Sequence, residues 1–156
     1  KDIRAIPKLE GTVHVNMALI LKFMGNYFFK PGKFPEVPTM SEPTNDDFLF
    51  NQGATKGLGK TRFHDYREVY NKVDLPNVNI FKKQIRLLKI LLVAGKPSKE
   101  QSKDFDFLLI LGELFTLLVS GQLILENAKI KVVEDDLVVQ IFDFIILLLS
   151  LSFSFF

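Results

Sequence analysis

Three consecutive residues carry the chemistry this chain could do. Glu10, Gly11 and Thr12 stand directly before an apolar run, Val13-His14-Val15-Asn16-Met17-Ala18-Leu19-Ile20-Leu21. A carboxylate on a loop can act as a general base if it is close to, and aimed at, a weakly acidic proton. Gly at position 11 lets another molecule lie close against the backbone. Thr at position 12 can accept from the free N–H groups of a first helical turn. The open end of such a helix favours negative charge beside it, whether a carboxylate, a thioester oxygen or a phosphate. The same three residues also make an ordinary turn and cap, which needs no chemistry.

A base is useful only if the element behind it is fixed. Val13, Met17, Leu21 and Met24 recur at helical spacing, with Ile20 and Phe28 adjoining, and predict a helix over 13–29. Asn16, Lys22 and Asn26 are too few for a broad wet face, so this helix is expected to be covered on most sides. Pro31, Pro35, Pro38 and Pro43 then rule out a continuous helix and mark residues 30–45 as a linker.

The segment from Asp2 to Thr12 resembles the C-terminal signature of the acyl-CoA dehydrogenases, in which Glu-Gly-Thr opens a long helix of the last helical domain. Leu9 stands where that family carries an aromatic residue, and His14 where it carries Gln, Asn or Asp. The likeness is specific over residues 2–24 and rests on helical pattern beyond them. It is nearest to the very-long-chain branch, which has a C-terminal helical extension. The resemblance implies an all-α helical bundle, the C-terminal fragment of a larger enzyme. Residues 1–29 would end the catalytic helical domain, 30–45 would link, 46–143 would form the extension and 144–156 an apolar tail. It implies Glu10 as catalytic base, Gly11 against the substrate, and Thr12 and His14 beside the cofactor, FAD. The implied partners are a fatty acyl-CoA, an electron-transfer flavoprotein as acceptor and a second copy in a homodimer, with contact to a membrane surface allowed. The implied setting is cytoplasmic in a bacterium and the mitochondrial matrix or inner membrane in a eukaryote.

Composition narrows the other classes. A net charge of +2 over 156 residues, without a basic stripe interleaved with aromatics, gives no footprint for nucleic acid. The chain has no Cys and only two His, His14 and His64, so neither disulfides nor a thiolate or His-cluster metal site is expected.

Residues 54–61, Ala-Thr-Lys-Gly-Leu-Gly-Lys-Thr, match a relaxed phosphate-loop pattern with Ala in place of the first Gly. Such a loop must follow a buried strand and open a helix. Here only Phe48-Leu49-Phe50 precedes it, and polar residues follow Thr61. An ordinary Gly-rich loop is therefore expected, with Arg62 and Asp65 in ion pairs. Residues 64–73 predict one or two helical turns, with Tyr66 and Tyr70 on one side.

Three longer helices are expected downstream. Over 77–94, Phe81, Ile85, Leu88 and Leu92 line one face and Lys82, Arg86 and Lys89 another, with Asn77 or Asn79 as cap and Gly95 as stop. Over 98–128, Ser98 and Gln101 have capping-box spacing. Asp106, Glu113, Ser120 and Asn127 recur every seven residues there, with Thr116 beside them, as one narrow polar seam. Over 134–149, Asp136, Gln140 and Asp143 make a polar stripe that then vanishes. From Phe144 to Phe156 there is no charge, and Ser150, Ser152 and Ser154 alternate in a strand-like period of two. Two rival readings follow: a non-catalytic helical interaction or membrane-associated module, and nucleotide binding through 54–61.

Overall fold

In the computed structural model of the chain, residues 13–32, 61–95 and 97–154 are described. They hold α1 (Val13–Phe29), α2 (Tyr66–Asn71), α3 (Pro76–Ala94), a 3-10 turn (Gln101–Lys103), α4 (Phe105–Lys131) and α5 (Asp135–Phe153). Among the described residues there is no strand, so the architecture is all-α. The linker and Gly-rich loop, residues 33–60, lie outside them.

The bundle is built around α4. It packs against α1, α2 and α5, and α3 lies along α5. Buried Leu111, Leu114, Phe115, Leu118 and Leu125 supply its core face. Asp106, Glu113, Thr116 and Asn127 are exposed and Ser120 half-buried, so the expected seam is the side that faces water. Both α4 and α5 are long and apolar enough to cross a membrane. For α4, the wet seam and the shared core describe equally well the interior of a bundle.

Side-chain bonds give the helix directions. Asn77 Nδ2 donates to Asp143 Oδ1 (2.6 Å), and seven residues on in both helices Gln84 Nε2 donates to Ser150 Oγ (2.8 Å). Hence α3 and α5 run parallel. Met17 lies on Gly112, and ten residues on in both helices Tyr27 bonds to Gln122, so α1 and α4 run parallel too.

Several boundaries differ from expectation, each for a local reason. The Ser98–Gln101 capping box does form, with Gln101 N–H to Ser98 Oγ (3.1 Å) and Ser98 N–H to Gln101 Oε1 (3.0 Å). It opens only the 3-10 turn. Asp104 then caps α4 afresh, accepting from the N–H groups of Asp106 and Phe107. Helix α3 starts at Pro76, whose fixed φ and missing N–H suit a first position. Asn77 and Asn79 are thereby inside the helix. Asn77 bonds across to α5, and Asn79 donates to Asp74.

Helix α4 runs to Lys131, beyond the expected 128, and ends on Val132 at φ 53°. This is the left-handed cap that Gly normally supplies, and nothing in the residue type announces it. Helix α5 continues to Phe153, so the serine alternation makes no strand and residues 144–153 are helical. Ile145 and Leu149 are core residues there. Finally, α1 is most deeply buried toward its C-terminal end. Asn26, Tyr27 and Phe28 are buried, whereas Val15 and Leu19 are exposed among the described residues.

Candidate functional site

Glu10, Gly11 and Thr12 lie outside the described residues, and so does the side chain of His14, whose backbone belongs to the first turn of α1. What the structure places is the helix behind them. It begins at Val13, one residue after Thr12, with no acidic residue in its first turn.

A buried aromatic and amide cluster anchors the far end of that helix. The Tyr27 ring stacks on Tyr66 (centroids 5.2 Å, planes 14° apart) and meets Phe115 edge-on. The Tyr27 hydroxyl donates to Gln122 Oε1. Gln122 Nε2 in turn donates to Glu126 Oε1 (2.8 Å), which fixes the amide's orientation. Asn26 Nδ2 donates to Thr61 O (2.9 Å), and the Gly32 N–H to Phe63 O (2.8 Å). The segment after α1 and the segment before α2 are thus tied together.

Tyr70 completes the cluster, its hydroxyl donating to Leu118 O (2.8 Å). Burial is the main cause that pushes the Tyr27 and Tyr70 hydroxyls far above the ordinary phenol value, and neighbouring Tyr66, Glu126 and Asp65 push Tyr27 the same way. Both therefore stay protonated and act as hydrogen-bond donors, not as bases. Two glycines allow the close approach. A Cβ on Gly121 would stand 2.7 Å from the Tyr70 hydroxyl and 2.9 Å from Phe81 Cε1, and one on Gly112 would stand 2.8 Å from Met17 Sδ.

Asp65 is in an ion pair, as expected, and the partner is Arg67. Its carboxylate caps α2 through the Arg67 N–H (3.0 Å) and accepts from Arg67 Nε (2.8 Å). The bond to that guanidinium holds the Asp65 carboxyl below its ordinary value, against a smaller upward push from burial. Arg62 Nη1 donates to Thr61 O (3.3 Å). Thr61 to Asp65 are irregular, and the next helix starts at Tyr66, so no helix opens at the end of the 54–61 loop. Residues 54–60 themselves lie outside the described residues. Among the described residues no group of acidic or His side chains could hold a metal ion.

The sequence reading did not find Gln122. It stands amid apolar residues of α4 next to the polar seam, and only its burial shows that it belongs to the core. Nor did it join the basic face of α3 to α2. Lys82, Arg86 and Lys89 share a cleft of about 370 Å³ with Tyr66, Arg67 and Tyr70. Comparison with protein-family models, curated proteins and solved structures finds no match to this chain.

Proposed function

We propose that the chain is the C-terminal part of a flavin-dependent acyl-CoA dehydrogenase, with Glu10 as the base that takes the α-proton of a fatty acyl thioester. The observation that carries this reading is the place of Glu10-Gly11-Thr12, immediately ahead of a helix that starts at Val13. The anchoring of that helix through Tyr27 and Gln122 supports it, because a base must sit on a rigid element.

In this reading the helix end keeps Glu10 ionised in the empty site. Bound substrate expels water and raises the carboxyl pKa toward that of the activated thioester. Gly11 lets the substrate lie against the backbone. FAD, when bound, supplies the acceptor for the β-hydrogen as hydride, and Thr12 and His14 are the residues of this chain placed beside it. The fit of those two to the flavin rests on side chains outside the described residues. The reading implies an electron-transfer flavoprotein as the electron acceptor and a second copy of the chain in a homodimer.

The test is Glu10→Gln in the complete flavoprotein, read by anaerobic stopped-flow bleaching of the flavin after FAD content is checked. Flavin reduction by acyl-CoA should fall about 10²–10⁴-fold or more. Undiminished bleaching, or the lack of a flavin-binding core ahead of Lys1 in the full coding sequence, overturns the reading.

One observation favours a second reading, a helical module that docks on a membrane. Phe144, Leu147, Leu148 and Leu151 are all exposed on α5, and no charge follows Asp143. Vesicle binding abolished by Phe144→Ser with Leu151→Ser, in a protein that holds no flavin, would favour it.

A further inference from the structure

We propose that the cleft between α2 and α3 binds phosphate, either on a phosphorylated small molecule or on a phospholipid headgroup. The inference stands apart from the dehydrogenase reading, since it uses no residue of the Glu10 motif. Four cations line the cleft, Arg67 from α2 and Lys82, Arg86 and Lys89 from one face of α3; the Asp65 carboxylate beside it pairs with Arg67, which leaves the three cations of α3 to supply the excess positive charge. Tyr66 and Tyr70 form its inner wall.

Like charges gathered in a concave site with low-dielectric walls focus a positive potential that favours an anion. Three of the four are already positioned. Lys82 Nζ is held by Val73 O (2.5 Å) and Asn79 Oδ1 (2.9 Å). Lys89 Nζ lies 5.4 Å over the Phe29 ring. Arg67 is held by Asp65 through Nε and Nη2. The Arg86 side chain makes no hydrogen bond, ion pair or ring contact with another described residue. Pre-placed cations lose little freedom when an anion arrives, so the charge-assisted bonds they make are retained as affinity. At about 370 Å³ the cleft is in the size range of small-molecule sites. It has room for a diphosphate, or for a phosphate ester with its organic group against the tyrosines.

The chain carries no Trp and three Tyr, of which Tyr66 and Tyr70 line this cleft. Intrinsic Tyr fluorescence therefore reports on it directly. The probe is sodium pyrophosphate, titrated at fixed ionic strength into the full chain. A saturable change is expected, with half-saturation raised at least about tenfold in Arg86→Gln, the loss of one charge-assisted bond. Lys83→Gln, an exposed cation outside the cleft on the same helix, should leave it unchanged. Helical circular dichroism shows that both variants fold. The absence of saturation, or equal weakening by Lys83→Gln, overturns the proposal.

A second arm separates the two sources of phosphate. Vesicles of phosphatidylglycerol that retain the chain through Arg86, and release it to pyrophosphate, assign a headgroup. Saturable pyrophosphate binding without such retention assigns a soluble phosphate compound. Retention indifferent to both Arg86→Gln and pyrophosphate, with no saturation in solution, refutes the site and leaves the apolar face of α5 as the lipid contact.

Discussion

Three glycines inside helices make a graded test of the packing around α4. Replacing Gly by Ala within a helix gains about 1 kcal/mol from propensity alone. What differs is the space for the methyl group. A Cβ on Gly25 would meet nothing within 4 Å among the described residues outside its own helix backbone, so Gly25→Ala should keep the whole gain and raise Tm by about 2–4 °C for a chain of this size. At Gly112 the obstacle is Met17 Sδ at 2.8 Å. A thioether can swing aside, which offsets the gain and leaves Gly112→Ala within about 1 kcal/mol of the parent. At Gly121 the obstacles are the Tyr70 hydroxyl at 2.7 Å and a Phe81 ring carbon at 2.9 Å, both belonging to buried rings. Overpacking costs about 1–3 kcal/mol. Pushing the Tyr70 hydroxyl off Leu118 O adds about 1–3 kcal/mol for a buried donor left unpaired. Set against the propensity gain, Gly121→Ala should lose about 1–5 kcal/mol. Urea or thermal unfolding followed by circular dichroism gives the order Gly25→Ala, then Gly112→Ala, then Gly121→Ala. Equal stability of the first and third would mean that α2, α3 and α4 do not meet at Gly121.

Other outcomes follow from single contacts, each read by the same unfolding assay. Tyr27→Phe leaves the buried Gln122 Oε1 without its donor and should cost about 1–3 kcal/mol. Gln122→Leu in that background should recover part of the loss, because the unpaired acceptor is then gone. Asp104→Ala removes the cap that starts α4 and should cost about 0.5–2 kcal/mol. Val132→Gly relieves a β-branched residue at φ 53° in an exposed position and should stabilise by about 1 kcal/mol.

How far the sequence could be read depended on where each signal lies. Helix α1 was legible end to end, because the apolar period starts after Thr12 and Pro31-Gly32 closes it. The seam on α4 was legible for the same reason. Asp106, Glu113, Ser120 and Asn127 share one face whatever surrounds them. The ends of α4 and α5 were not. Val132 ends a helix without the chemistry that normally marks an end, and apolar residues alternating with serines fit two periods at once. In the structure the segment is helical, and Ile145 and Leu149, about one turn apart, enter the core from it. The α2–α3 cleft was half legible. The basic stripe of α3 could be read, but its union with Arg67 and the tyrosines depends on how a six-residue helix turns back onto α4.

The proposed base precedes α1 in the sequence and the buried cluster lies near the C-terminal end of that helix, so variants at the two places should differ. Glu10 lies three residues before α1 begins, and Tyr27 lies near its last turn. Within α1, Tyr27 lies 14 residues beyond Val13, roughly 21 Å at 1.5 Å per residue. The Tyr27 hydroxyl is buried, donates to Gln122 and stays protonated, so it is not a base. It can act only by setting how α1 sits on α4. Loosening that anchor by about 1–3 kcal/mol reduces the time α1 spends seated without altering the carboxylate. In the complete enzyme, Tyr27→Phe should accordingly lower Tm and weaken kcat/KM modestly while the pH profile of flavin reduction stays in place. Glu10→Gln should do the reverse, leaving Tm nearly unchanged while the chemistry stops. A Tyr27→Phe variant with a shifted pH profile would give that hydroxyl a direct part in the proton transfer and overturn this division of roles.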